Sequence, residues 1–246
     1  MIRAVIFDLD GTLVQTEKLK ALSYARAVVE LSPQGIREAD VLEAFKDVVG
    51  LPRREAAILL LERFHLGEKA RLRLAEFGSS APWQVLVQLR QRYYREIIAA
   101  PDVIRNNQWP HNVTLLREAR RMNCKIGLAT MSYCPEVTRV LEILQLTAAF
   151  DFIASREDVE QGKPDPEIYF LLAKELDVAP PDCLVIEDSP NGVKAALAAG
   201  MKCIAVATPF TRQGLHRGDM LEAHWIVDEP HHLMEVVGRM FSENKP

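Results

Sequence analysis

Residues 4–12 read AVIFDLDGT. Ala4 to Phe7 form an uninterrupted apolar run of the kind found in strands buried on both faces of a parallel sheet. The run stops at Asp8-Leu9-Asp10-Gly11-Thr12. Ligands of open parallel sheets gather at the carboxyl ends of the strands. Two carboxylates two residues apart, just past a strand, converge on one point if the chain turns there, and Gly11 permits such a turn. The competing reading is an acidic turn with solvated side chains.

Working outward, further buried strands are expected at Lys125–Ala129 (KIGLA), Phe152–Ala154, Cys183–Ile186 and Cys203–Ala207. Helical periodicity separates them at 110–122, 135–145, 166–177, 190–199 and 231–241. Ser189-Pro190 and Asp165-Pro166 are helix starts, a capping side chain before a proline, and Gly200 closes the helix opened by the first. Strands alternating with helices predict a parallel sheet covered on both faces. The segment from Thr16 to about Ala100 differs. Glu17–Leu31, Ala39–Val49, Arg54–Phe64 and Trp83–Ala99 read as amphipathic helices with almost no strand signal between them. The expectation is an α/β, Rossmann-like parallel-sheet core domain of residues 1–15 and 101–246, carrying an inserted all-helical cap domain of residues 16–100.

Composition narrows the functional classes. The 246 residues are 48% hydrophobic and 26% charged, as in ordinary globular proteins, which excludes intrinsic disorder and collagen-like repeats. Thirty Lys and Arg against thirty-four Asp and Glu give a net charge of −4, with no basic run to suggest a nucleic-acid or membrane surface. Cys124, Cys134, Cys183 and Cys203 form no CxxC pair, and three lie in or beside apolar runs as reduced thiols would. Met1–Phe7 is too short for a signal-peptide core, and no apolar stretch approaches the roughly 20 residues of a membrane span. A soluble cytoplasmic protein is expected, a monomer or small homo-oligomer.

Three more strand ends carry chemistry. KIGLA stops at Thr130, a hydroxyl placed to donate to an anion. Gly162-Lys163-Pro164-Asp165-Pro166 holds a lysine in an extended loop, because residues before proline avoid the helical region. Cys183–Ile186 runs into Glu187-Asp188. Clustered carboxylates with an open position suit Mg²⁺, a hard cation of oxygen ligands. A lysine and a hydroxyl beside it would neutralise phosphoryl oxygens.

DLDGT, the strand ending in Thr130, GKPDPEIY and IEDSPNGVKAALAAGM together resemble the haloacid dehalogenase superfamily, in family order and over essentially the whole chain. The helical insert resembles the cap of the subgroup containing β-phosphoglucomutase and small sugar-phosphate phosphatases. The resemblance implies that Asp8 is a nucleophile forming an aspartyl-phosphate and Asp10 a general acid/base whose backbone carbonyl also ligates the metal. It makes Thr130 and Lys163 phosphoryl-binding groups, Asp188 a direct Mg²⁺ ligand and Glu187 an outer one reached through water. Dehalogenases proper lack the second acid and the metal, so that branch is excluded.

In the cap, Val49-Gly50-Leu51-Pro52-Arg53 resembles a substrate-specificity loop. Arg53 would grip the non-reacting part of the substrate, or simply open the next helix in solvent. Arg90 resembles a second basic cap position, with an exposed helical arginine as the other reading. Ser132 is available as a substrate donor. Gln15, Lys20, Tyr133 and Cys134 depart from the family pattern. The last two stand where the mutase has a lysine and an asparagine for the distal phosphate. The expected function is therefore a Mg²⁺-dependent phosphatase of a small phosphorylated metabolite, a sugar phosphate, with a phosphomutase as the alternative. A receiver-type signalling domain has a similar set of groups but about half the length and no cap. His231-His232 lacks partner spacing for a metal site, and the three tryptophans form no stacking platform.

Overall fold

Six strands form one all-parallel sheet: β1 (Ala4–Phe7), β2 (Lys125–Ala129), β3 (Phe152–Ala154), β4 (Cys183–Glu187), β5 (Lys202–Val206) and β6 (Ile226–Val227). Their order is β3-β2-β1-β4-β5-β6, in a computed structural model that describes residues 1–244. Every residue of β1 and β4 is buried, which explains why both read as continuous apolar runs rather than alternating ones. After β1 the chain fills one side of the sheet with β2 and β3, then crosses to the other with β4. The strand order therefore reverses at β1, the topological position where open sheets place ligands. Register brings the chemistry level: Phe7 pairs with Leu128 on one side and Ile186 on the other. The next residue, Asp8, consequently lies beside the ends of β2 and β4, its N–H donating to the Ile186 carbonyl at 3.0 Å.

The chain divides into two units. One joins Met1–Gln15 to the chain from Ile104 onward, and the other is Thr16–Val103. The second contains α1 (Thr16–Leu31), α2 (Glu38–Phe45), α3 (Arg53–Arg63), α4 (Gly67–Leu72) and α5 (Pro82–Ala99), and α6 (Pro101–Asn106) carries the second crossing. α1 packs on α2 and α5, and α5 also on α3 and α4. Glu30 of α1 ties this bundle, accepting from Arg73 Nη1 at 2.9 Å, from the Tyr93 hydroxyl at 2.6 Å and from Arg92.

The first unit adds α7 (Pro110–Arg121), α8 (Cys134–Leu144), α9 (Glu167–Glu175), α10 (Pro190–Ala198), α11 (Arg212–Arg217) and α12 (Leu233–Glu243). Small differences from the sequence reading have local causes. β5 starts at Lys202, and α9 starts after its N-cap residue Pro166, with the Glu167 N–H donating to Asp165 Oδ1 at 2.9 Å. His231-His232 belongs to a 3₁₀ turn ahead of α12. Cys124, Cys183 and Cys203 are buried and Cys134 exposed, all four free. Among the described residues, no helix is long and apolar enough to cross a membrane.

Candidate active site

Asp8 sits one residue beyond β1 and is only 6% exposed. Lys163 enters from the loop before α9. Its ammonium donates to Asp8 Oδ1 at 2.7 Å, Glu187 Oε1 at 2.6 Å and the Ala129 carbonyl at 3.0 Å. Three acceptors use the full donor capacity of an ammonium group. The Tyr169 ring packs 5.2 Å from Nζ, and its hydroxyl donates to Glu187 Oε1 at 3.3 Å. Burial pushes the Asp8 carboxyl up to about 8, against the pull of Lys163 and with Glu187 and Asp10 adding to the rise. Burial alone would depress Lys163, but Asp8 and Glu187 outweigh it and hold the ammonium charged.

Glu187 ends β4 and is saturated. Its Oε2 accepts from Asp188 N at 2.8 Å, Ser189 N at 2.9 Å and Ser189 Oγ at 3.0 Å. Ser189 Oγ in turn accepts from Gly192 N at 3.0 Å, the N-cap of α10. One serine thus starts the helix and aims the carboxylate. Gly192 makes the packing possible, since a Cβ there would lie 1.7 Å from Glu187 Oε1. Gly192→Ala should lower stability by about 1–3 kcal/mol, the usual cost of overpacking. Turnover should fall with it because Glu187 and Lys163 must shift. Denaturant midpoints with steady-state rates check this, and wild-type values for both would show that the turn yields freely.

Gly11, at φ +98°, turns the chain after Asp10 in a conformation that disfavours side chains, and a Cβ there would meet Asp188 Oδ2 at 2.1 Å. The turn is fixed by Gly11 N donating to the Val14 carbonyl at 2.7 Å and by Asn112 Nδ2 of α7 donating to the Thr12 carbonyl at 2.5 Å. It presents the Asp10 carboxylate to the end of β2, where Thr130 Oγ1 donates to Oδ2 at 3.4 Å and Ser132 Oγ donates to the same oxygen. The two hydroxyls expected to face substrate thus both reach Asp10. Ser132 N also donates to Thr130 Oγ1 at 3.0 Å.

Asp8, Glu187 and Asp188 bring carboxylate oxygens within 4.8 Å of one another, all three buried. The donors are all hard oxygens, and the one lysine beside them leaves their negative charge uncompensated. Such a set fits a divalent cation. The Asp10 carboxylate is not in that triad.

Over residues 2–200 the sequence matches the haloacid dehalogenase-like hydrolases. The chain belongs to that family. It is 31% identical over 201 residues to the phosphorylated carbohydrates phosphatase of Thermotoga maritima, covering 82% of this chain and 83% of that one. It is also 31% identical over 205 residues to the β-phosphoglucomutase of Bacillus subtilis, with 83% of each covered. The crystal structure of β-phosphoglucomutase from Clostridium difficile superposes with a TM-score of 0.69 at 25% identity, over 98% of this chain and 100% of that one. This haloacid dehalogenase-like hydrolase is accordingly an enzyme of the phosphoric monoester hydrolase type.

Within the helical unit of the hydrolase, Arg53 is half-buried and opens α3. Arg90 is buried at 3% exposure, its guanidinium 5.4 Å from the Tyr24 ring and 4.7 Å from the Tyr94 ring. Both arginines act on the Tyr24 hydroxyl: burial raises its pKa, and Arg90 and Arg53 oppose the rise. Sequence reasoning missed Tyr169, Gly192 and the Ala129 carbonyl. Both residues lie inside the quoted stretches GKPDPEIY and IEDSPNGVKAALAAGM, but nothing in residue type or spacing singles out either one. Nothing in the sequence marks one backbone carbonyl among others.

Proposed function

We propose that this enzyme is a Mg²⁺-dependent phosphatase of a small phosphorylated sugar, working through an aspartyl-phosphate on Asp8. One observation carries the reading. Lys163 bridges Asp8 and Glu187, and two residues further on the Asp10 carboxylate accepts from the Thr130 and Ser132 hydroxyls. A carboxyl group held by a lysine, and ionised once a cation is bound beside it, suits a nucleophile, and one that accepts from hydroxyls suits an acid/base that must exchange its proton.

Asp8 attacks phosphorus, forming an O–P bond as the bond to the leaving oxygen breaks, and Asp10 gives that oxygen its proton. Water then attacks the aspartyl-phosphate, passing a proton to Asp10 as phosphate departs and Asp8 is regenerated. Lys163 orients Asp8 throughout. Asp8, Asp188 and the Asp10 carbonyl would hold Mg²⁺, with Glu187 behind them, and the bound ion would offset the charge of carboxylates and phosphoryl oxygens. Arg53 is the residue proposed to contact the non-reacting end of the substrate, and Arg90 acts with it on Tyr24. The sugar class is supported by the names of the Thermotoga and Bacillus relatives.

A phosphomutase would share the first half-reaction and return the phosphoryl group to a second sugar hydroxyl. Tyr133-Cys134, which brings no cation to the loop after Thr130, favours hydrolysis. The deciding experiment gives hexose monophosphates to the enzyme with EDTA and after Mg²⁺ is restored, scoring free phosphate and isomerised ester together. Stoichiometric phosphate release that falls about 100-fold in EDTA and returns with Mg²⁺ is expected. Undiminished metal-free turnover would overturn the metal assignment. Isomerisation outrunning hydrolysis would establish the mutase.

A further inference from the structure

We infer that one buried water molecule belongs to the fold beside the Asp10–Thr12 turn. It accepts from the Trp109 indole and donates to Asn112 Oδ1, which makes Trp109 a positioning residue for that turn. The inference concerns how the turn is held and is independent of the reaction proposed above.

Gly11 lines a cavity of about 10 Å³, the size of a single water. Trp109, Asn112 and Thr208 line it too, with Val206 and Val227, the last residues of β5 and β6. Two polar groups of these residues lack protein partners. Trp109 is half-buried, yet its Nε1 is buried and has no acceptor among the described residues. Native proteins pair such donors with protein or with ordered water. Asn112 is only 3% exposed. Its Nδ2 donates to the Thr12 carbonyl at 2.5 Å, so Oδ1 is the other end of the amide and points elsewhere. Among the described residues nothing donates to that oxygen.

A donor and an acceptor lining one small cavity call for a molecule that both accepts and donates. Water does both. An anion would meet the Asn112 oxygen and a cation the indole N–H, and none of the lining residues carries a charge. The Thr208 hydroxyl is already engaged, sharing a hydrogen bond with Thr211 Oγ1 at 2.9 Å and accepting from the Phe210 and Thr211 N–H groups at 3.2 Å. The consequence lies in Asn112. A carboxamide bonded at one end can swing, whereas one bonded at both ends holds a single orientation. Water on Oδ1 therefore keeps Nδ2 on the Thr12 carbonyl, two residues after Asp10. Backbone bonds clasp the same segment, Trp109 N to the Leu13 carbonyl at 2.9 Å and Gln15 N to the Asn107 carbonyl at 2.7 Å. Trp109 thus acts on the turn twice, directly through its backbone and, by its side chain, through water and Asn112.

High-resolution diffraction from the wild-type protein should show a water within about 3.2 Å of both Trp109 Nε1 and Asn112 Oδ1. In solution, nuclear magnetic resonance should give the Trp109 indole proton a direct cross-peak to water, with the sign of a long-lived bound molecule. Trp109→Phe keeps an aromatic ring and removes the donor. Exchange of the Gly11 amide, whose N–H bonds the Val14 carbonyl, should then become about three- to tenfold faster, the usual worth of one hydrogen bond, while the amides of β4 exchange as in wild type. A wild-type cavity without water density, or an indole proton without the cross-peak, would overturn the inference whether or not the variant folds. Unchanged Gly11 exchange in Trp109→Phe would overturn the positioning role. Equal acceleration at Gly11 and in β4 would overturn it too, because the substitution would then loosen the whole sheet rather than the turn.

Discussion

Asp8→Asn is expected to reduce phosphate release by on the order of 10⁴–10⁶-fold, the loss seen when an enzyme's nucleophile is removed. The amide keeps the shape of the carboxylate but cannot attack phosphorus. No phosphoryl adduct should then be trapped by acid quench, and an adduct on any other residue would reject Asp8 as nucleophile. The same substitution carries a stability signature that separates lost chemistry from lost fold. Burial, reinforced by Glu187 and Asp10, raises the Asp8 pKa to about 8, against 3.8 for the free group. Between those values the folded chain holds a proton that the unfolded chain has released. Stability of the metal-free protein must therefore fall as pH rises across that window. Lys163, held charged by its two carboxylates, contributes stability that persists until still higher pH. Asp8→Asn removes the first dependence and leaves the Lys163–Glu187 pair. Its melting temperature should be flatter from pH 5 to 8 than that of the wild type, and no lower at pH 8. An inactive variant that melts well below wild type at every pH would mean that Asp8 is needed for folding.

Legibility of the fold tracked how much of each element's character lies in its own residues. Ala4–Phe7 and Cys183–Glu187 are buried on both faces, so their sequences have no reason to alternate and announce themselves as apolar runs. β6 has two residues and exists because β5 pairs with it, which no local pattern can disclose. α4, α6 and α11 span six residues each, too short for a helical period to repeat. Residue type and strand end together marked where Asp8, Thr130, Lys163 and Glu187-Asp188 would gather.

Side-chain direction was less accessible. Thr130 and Ser132 read as donors toward a substrate anion, yet both hydroxyls reach Asp10. Glu187 read as an outer metal partner reached through water, and in the structure five protein donors hold its two oxygens in place. Two of the five, the Tyr169 hydroxyl and the Lys163 ammonium, come from the chain around α9. That convergence is a property of the sheet topology and has no sequence spacing of its own. Arg90 read as an exposed or substrate-facing arginine, and it is buried against two tyrosines. A long side chain with an apolar stem can be buried when its head lies over aromatic faces.

Asp10→Asn is the second large effect. The backbone carbonyl proposed as a metal ligand is untouched, whereas the proton relay is lost, so turnover should fall about 10²–10⁴-fold. The hydrogen bonds on Asp10 divide that loss between the two half-reactions. Thr130 and Ser132 donate to Oδ2 and orient the carboxyl group that gives its proton to the leaving oxygen and later takes one from water. An ester whose leaving group is already a good one, such as p-nitrophenyl phosphate, needs little help in the first step. Attack by water on the aspartyl-phosphate needs the base whatever the leaving group was. With p-nitrophenyl phosphate the variant should therefore release about one equivalent of phenol in a burst and then stall with phosphate on Asp8. With a sugar phosphate, whose alkoxide leaves poorly, the burst should be absent and the covalent adduct scarce. Ser132→Ala, which removes one donor but no proton carrier, should show no burst and a smaller loss, about tenfold or less. Equal suppression of both substrates in Asp10→Asn, with no adduct on either, would show that Asp10 shapes the turn rather than moving the proton.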